Sequence, residues 1–424
     1  LKRSYFIQAG LFLLTVFTTL VVGAELTTGR LFFNLGSVDE HQLLGWNDLK
    51  EGIAYSFAFL LFLTCHEFGH YFTAVYHKVK SSLPYYIPVY IPFMLNIGSL
   101  GAVIRLKQIP QSTRQYFDIG IAGPLAGFVI SVGLLVYGFQ TLPDQAEYVL
   151  NIHPEYETYF GGMPTTAEQE AFVLEKKGFD FLSPEEKALL VDEEELSAIS
   201  DPAEREALQR ENYAPAVIHI GSSLLYELLK WLAASDPAQV PDGFEMIHYP
   251  WLFVGFITLF FTALNLLPIG QLDGGHIVYG MFGRKRAGQV ARVTVMALLF
   301  FGGTGMMDFR RPDDFYTYLG VGLYAAFLVY ILNRLFFKGQ MKSLIFSVLG
   351  ILLLQTAIKY FLPGLNPSLI WLIYAFLAVR FIGVDHPRAL YEHRVNRPRQ
   401  VLGWVAIAIF ILCFTPFPVD VIGG

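Results

Sequence analysis

The sequence predicts an all-α polytopic membrane protein of about nine transmembrane helices, with a small membrane-associated β element and a helical extramembrane insertion. Three observations predict it. Charged residues make up only 16% of the 424 residues and hydrophobic ones 54%, whereas soluble domains carry about 25% charged residues. Apolar runs of about 20 residues, enough to cross some 30 Å of hydrocarbon, recur at 5–24, 52–76, 116–138, 248–270, 288–307, 316–337, 342–361, 365–384 and 401–420. A long acidic stretch, 141–247, interrupts the series after the third run.

The first run stands behind Lys2 and Arg3, as a signal peptide would. Its length and the similar runs that follow it make it a retained span. Lys and Arg in short loops then orient the chain. With the N-terminus inside, 19 of the 30 basic residues fall on the inside, among them Lys78, Lys80, Arg105, Lys107, Arg284, Lys285, Arg286 and Arg399. Six of the remainder lie in the long insertion, which the loop rule does not count. The expected topology is therefore N-in, C-out. The net charge of −6 and the lack of a basic tract exclude a nucleic-acid partner. Cys65 and Cys413, both in apolar runs, exclude a disulfide framework.

Between the second and third runs, Pro84, Pro88 and Pro92 forbid a continuous helix. Gly98 and Gly101 suggest a tight turn followed by a strand that ends near Arg105. Non-helical backbone at a membrane needs internal partners or a cavity, and a free strand edge could take up an extended peptide. In the insertion, Thr165 with Glu168, Ser183 with Glu186 and Asp201 with Glu204 have capping-box spacing. Pro184 and Pro202 occupy first-turn positions. The acidic run Asp192–Glu195 reads as a solvated helix face, and the apolar stretch 218–234 as an interfacial helix or a short span.

Chemistry concentrates in two motifs. His66-Glu67-Phe68-Gly69-His70 is an H-E-x-x-H on a helix. Residues i and i+4 share a face, so both imidazoles can reach one zinc ion, and Glu67 can take a proton from a metal-bound water. Ionisable groups inside an apolar helix are costly and usually functional. Two histidines leave zinc short of a third protein ligand. The fourth run, broken by Pro268 and Gly270, brings Asp273 to membrane depth. In the expected topology its end and that of the second run lie near the same face. A helix cap is the bland use of Asp273.

These residues resemble the site-2 protease family of intramembrane zinc metalloproteases. His66–His70 matches the family's H-E-x-x-H, Asn265–Gly274 matches its N-x-x-P-x-x-x-L-D-G, and Ala122–Gly127 lies on the helix between them. The resemblance implies a zinc cofactor held by His66, His70 and Asp273, with Glu67 as catalytic base. It implies substrate contacts from Asn265 and from the strand containing Gly98, Ser99 and Gly101. Single-span membrane proteins in the bilayer become the expected substrates, a bacterial inner membrane the expected host, and the cytoplasmic side the expected site of cutting.

The chain then divides into 1–51 (first helix and outside loop), 52–140 (catalytic core, first part), 141–247 (insertion), 248–283 (catalytic core, second part) and 284–424 (C-terminal helices). Two departures stand out. Gly127 occupies the position where many relatives carry Asn, and the insertion is helix-like, with no sign of a PDZ domain. His276 reads as a neighbour of the site without a chemical step, and His386 and His393 as solvated loop residues. A metal or peptide transporter and a non-cleaving pseudoprotease are the alternatives. The transporter would often show paired repeats, and neither motif recurs in this chain.

Overall fold

The computed structural model describes residues 2–33, 43–91, 96–182, 201–213, 216–307, 315–337, 339–365 and 367–423, together with 187, 190, 191 and 199. The Asp192–Glu195 run, the Ser183–Glu186 box with Pro184, and Pro92 lie outside the described residues.

Each of the nine apolar runs contains a helix, because a backbone without water must bond to itself. They are α1 (Lys2–Thr28), α2 (Ile53–Tyr76), α3 (Thr113–Gln140), α9 (Pro250–Leu266), α11 (Arg284–Thr304), α12 (Phe315–Leu332), α13 (Met341–Phe361), α14 (Ile370–Leu377, prolonged by a π turn to Ile382) and α15 (Arg397–Cys413). Among the described residues, six helices are long and apolar enough to cross a membrane: those ending at Thr28, Tyr76, Gln140, Thr304, Phe337 and Phe361. The helices starting at Pro250, Ile370 and Arg397 are shorter.

The helices form two packed groups. One core is built from α1, α2, α3, α9 and α15 around Phe59, Phe62, Phe117, Leu135, Phe253 and Leu259. The other, from α11 to α14, centres on Val295, Leu299, Leu328 and Trp371. Close approach between α2 and α3 depends on small residues. A Cβ at Gly69 would lie 2.6 Å from the Ala122 carbonyl oxygen, which is backbone and cannot swing aside. Gly69→Ala is accordingly expected to cost about 1–3 kcal/mol, the range for overpacked interiors. A detergent-unfolding midpoint unchanged from wild type would contradict this.

The proline-broken segment forms a hairpin of β1 (Tyr85–Pro88) and β2 (Ser99–Val103), antiparallel with an irregularity between Tyr86 and Pro88. Outside these strands, Ser82 donates its backbone N–H to Arg105 and Lys107 donates to Lys80. Gly98, at φ 78°, is pressed against Thr18 and Thr19 of α1. The Thr18 hydroxyl donates to the Gly98 carbonyl at 2.6 Å, so α1 holds the hairpin in place.

In the insertion, α4 (Gln145–Ile152), α5 (Glu155–Phe160), α6 (Thr166–Leu174) and α7 (Pro202–Asn212) follow one another. The Thr165–Glu168 capping box forms. Asp201 caps α7, accepting from the Ala203 N–H, with Pro202 in the first turn. The stretch expected as one interfacial helix or span divides into β3 (Ala216–Ile220) and α8 (Leu224–Ala233). Strand β3 pairs antiparallel with β4 (Val419–Gly423). This second sheet corrects the expectation of a single β element and one apolar helix. Partners 199 to 207 residues apart (Ile220 with Val419, Ala216 with Gly423) leave no local signal.

Candidate metal centre

Helix α2 carries His66, Glu67 and His70 in its final turns, all buried. Across from it, α9 stops at Leu266, and a non-helical turn through Pro268 and Gly270 leads into α10 (Asp273–Phe282). Gly270 sits at φ 49°, and a Cβ there would collide with the Gly383 carbonyl. Asp273 is the first residue of α10, but its side chain caps nothing, since the cap position belongs to Leu272. Its Oδ2 lies 3.6 Å from Nε2 of His66 and 3.3 Å from Nε2 of His70. The two Nε2 atoms are 3.1 Å apart. The bland reading of Asp273 as a cap is thereby removed.

The surroundings fit a metal ion. A tetrahedral ion with bonds of about 2.0–2.1 Å sets its ligand atoms roughly 3.3 Å apart, and the three separations bracket that value. The Nδ1–H of His70 donates to the Ile119 carbonyl at 2.7 Å, which orients the ring and leaves Nε2 free for a ligand bond. Gly123 faces the centre, and a Cβ there would lie 2.1 Å from Nε2 of His70. His66 Nδ1 is buried with no hydrogen-bond partner among the described residues. A Cβ at Gly127 would lie 3.2 Å from it. Gly127 thus abuts the outer nitrogen of the His66 ring.

The centre opens on a cavity of about 490 Å³ lined by His66, Glu67, His70 and Asp273, by 100–104 of the hairpin, and by Asn265, His276 and Tyr374. Of the expected substrate-contact residues, Asn265 and Gly101 line this cavity. Gly98 instead packs on α1. Ser99 is fully buried, its hydroxyl donating to the Ile87 carbonyl at 2.9 Å. The sheet order is β1-β2, so β2 has no strand partner on its other edge among the described residues.

His386 differs from its expectation as a solvated residue. It is 4% exposed, lies over Tyr279 with ring centroids 4.0 Å apart, and puts Nε2 at 2.6 Å from Nδ1 of His276. Burial, the largest cause, pushes its imidazole down to about 4. His393 is exposed as expected. The sequence does not point to Tyr374 at the site or to the ion cluster around Asp118 beside it. Tyr374 donates to the Leu264 carbonyl at 3.0 Å at the cavity wall. Asp118 of α3 accepts from Arg399 at 2.6 and 2.8 Å and meets His77 at 2.8 Å. An aspartate within an apolar run was the available signal for that ion cluster.

Residues 54–305 match the family model of peptidase family M50. The chain is 26% identical over 292 residues to a probable zinc metalloprotease EGY1, chloroplastic, of Arabidopsis thaliana, covering 66% of this chain and 40% of that one. It is 23% identical over 341 residues to a probable zinc metalloprotease EGY2, chloroplastic, of Oryza sativa subsp. indica, covering 76% and 48%. A probable zinc metallopeptidase EGY3, chloroplastic, of Arabidopsis thaliana is 44% identical over 54 residues, covering 13% and 9%. The chain spans less than half the length of these relatives. No solved structure gives a significant match. These relatives are named chloroplastic and lend no support to a bacterial inner membrane. With well over half its length under the family model, a multi-pass arrangement of apolar helices and the H-E-x-x-H helix facing Asp273, the chain belongs to peptidase family M50, the site-2 protease family.

Proposed function

We propose that this chain is an intramembrane zinc metalloprotease that hydrolyses peptide bonds of single-span membrane proteins. The observation that carries this reading is the convergence of His66, His70 and Asp273, with ligand atoms all within 4.8 Å, beside Glu67 in a cavity walled by β2. In this reading the three residues hold the ion and Glu67 is the base. A zinc ion bound there supplies Lewis acidity and lowers the pKa of a water towards 7. Glu67 accepts a proton from the attacking water and returns it to the leaving amine. Asn265 donates to the developing oxyanion or to the substrate backbone.

A helical substrate hides its peptide bonds in i→i−4 hydrogen bonds and must unwind before attack. The free edge of β2, running through Gly101, offers replacement backbone partners by strand addition. Glu67 lies within reach of the Ile104 backbone amide just past that strand, so a docked strand would pass close to the base. Gly98 and Ser99 contribute by holding β2 against α1 and β1. The proposed organisation keeps 52–140 and 248–283 as the catalytic core and nine spans with the N-terminus inside. The site opens towards the cytoplasmic or equivalent side.

The test is digestion of a panel of single-span proteins by the purified, zinc-loaded chain in lipid. Products whose masses place the cut inside the span, and which vanish with a chelator, support the proposal. Cutting confined to soluble flanks, or insensitive to chelation, would overturn it.

A further inference from the structure

A second cluster of metal-ligating side chains stands away from the H-E-x-x-H centre, where the insertion meets the ends of α1 and α9. His153 follows α4, while Glu245 precedes and His248 ends a short 3-10 turn (Met246–His248) just before Pro250. Glu245 and His248 are 1% and 4% exposed. Nε2 of His153 and Nε2 of His248 face each other at 3.0 Å. Oε2 of Glu245 lies 4.0 Å from each of them.

What surrounds the three side chains fixes which atoms face inward. His248 Nδ1 is 2.5 Å from the Leu26 carbonyl, and His153 Nδ1 is 3.0 Å from a carboxylate oxygen of Glu155. Both partners only accept, so both Nδ1 atoms carry the proton, and in the neutral rings both Nε2 atoms are bare lone pairs. Two lone pairs at that separation repel unless a cation lies between them. Oε1 of Glu245 accepts from the Tyr156 hydroxyl and from the Gln169 amide, each at 2.9 Å. Its Oε2 is buried with no hydrogen-bond partner among the described residues. An unpaired buried carboxylate oxygen is expensive, and here it points to the place where two imidazole lone pairs already converge.

We infer that His153, His248 and Glu245 bind a second divalent ion of the zinc class, which clasps the insertion to the ends of α1 and α9. Two imidazoles and one carboxylate suit zinc, whereas calcium and magnesium prefer all-oxygen sites. Separations of 3.0, 4.0 and 4.0 Å need shifts of under 1 Å to reach the roughly 3.3 Å of a tetrahedral set. Outer partners on every ligand (Leu26, Glu155, Tyr156 and Gln169) are the usual support of a metal site. His153, with 24% of its side chain exposed, leaves an approach for the ion and for a completing water. The site is independent of the proposed proteolysis. The ion's role is to tie Leu26 and Pro250, at the ends of two membrane helices, to the insertion.

The test counts zinc in the purified full-length chain in detergent, after dialysis against zinc-buffered solution, by plasma mass spectrometry. Wild type is expected to hold two equivalents. His66→Ala/His70→Ala should retain one, and adding His153→Ala or Glu245→Gln to it should remove that one. Zinc should also raise the unfolding temperature of His66→Ala/His70→Ala and leave that of the triple variants unchanged. His153 is the most exposed of the three side chains, so its alanine variant separates loss of binding from failure to fold. Cobalt loaded into His66→Ala/His70→Ala should show the visible bands of a four- or five-coordinate site. One zinc in wild type and none in His66→Ala/His70→Ala would overturn the inference, because a shared proton would then join the histidines. Zinc that survives His153→Ala and Glu245→Gln would overturn it too. Failure of the H-E-x-x-H reading would look different, since wild type and His66→Ala/His70→Ala would then bind equal zinc.

Discussion

Glu67→Gln is expected to slow peptide-bond cleavage by about 10²–10⁴-fold, the usual contribution of a positioned general base, while zinc content stays that of wild type. Glutamine keeps the shape of the side chain and its place in the cavity beside His66 and His70. It removes only the ability to accept and return a proton. Glu67 is 7% exposed, so bulk water cannot readily take over the proton transfer. Cleavage of a single-span substrate and zinc content, measured on the same preparations, check this. Equal cutting by both proteins would remove Glu67 as base, and loss of zinc along with activity would make it a structural support instead.

Gly123→Ala is expected to cost one equivalent of zinc and nearly all cleavage, although Gly123 itself binds nothing. The added Cβ would occupy a point 2.1 Å from Nε2 of His70, the atom assigned to the metal. The His70 ring cannot retreat freely, because Nδ1 is held by the Ile119 carbonyl at 2.7 Å on the same helix as Gly123. Disturbing the outer partner of a ligand typically costs 10–100-fold in metal affinity, and displacing the ligand atom itself should exceed about 100-fold. Zinc titration against a competing chelator measures it. Wild-type affinity in this variant would mean that α3 can shift away from α2 at little cost. That would contradict the close packing seen at Gly69, where a Cβ would meet Ala122 backbone at 2.6 Å.

The roles of Glu67 and Gly123 are not equally legible in the sequence. Glu67 can be identified from five consecutive residues, because helical geometry places i and i+4 together and the chemistry follows. Gly123 lies in a stretch that reads only as a small-residue helix until α2 and α3 are docked. Gly127 stands out in the sequence as a departure from the family pattern, but its neighbour, the His66 Nδ1 that has no hydrogen-bond partner among the described residues, emerges only in the packed bundle. The burial of His386 is hidden from the sequence for a similar reason. Its surrounding arginines suggest solvent, whereas His276, 110 residues earlier, draws it into the core.

Properties carried by short-range periodicity and local stereochemistry could be read directly from the chain. These are the apolar runs and their helices, the proline-broken segment with its strand after Gly98, the capped insertion helices and the H-E-x-x-H donors on one helical face. Pairings between distant segments could not. Arg399 reaches Asp118 across 281 residues, His248 meets His153 across 95, and β3 finds its partner at the far end of the chain. Apolar length fixes that a segment becomes a helix, because its backbone must bond internally. Which helices touch depends on the fit of small residues and on polar groups seeking partners in a dry interior. Those preferences are expressed only when the whole bundle is assembled.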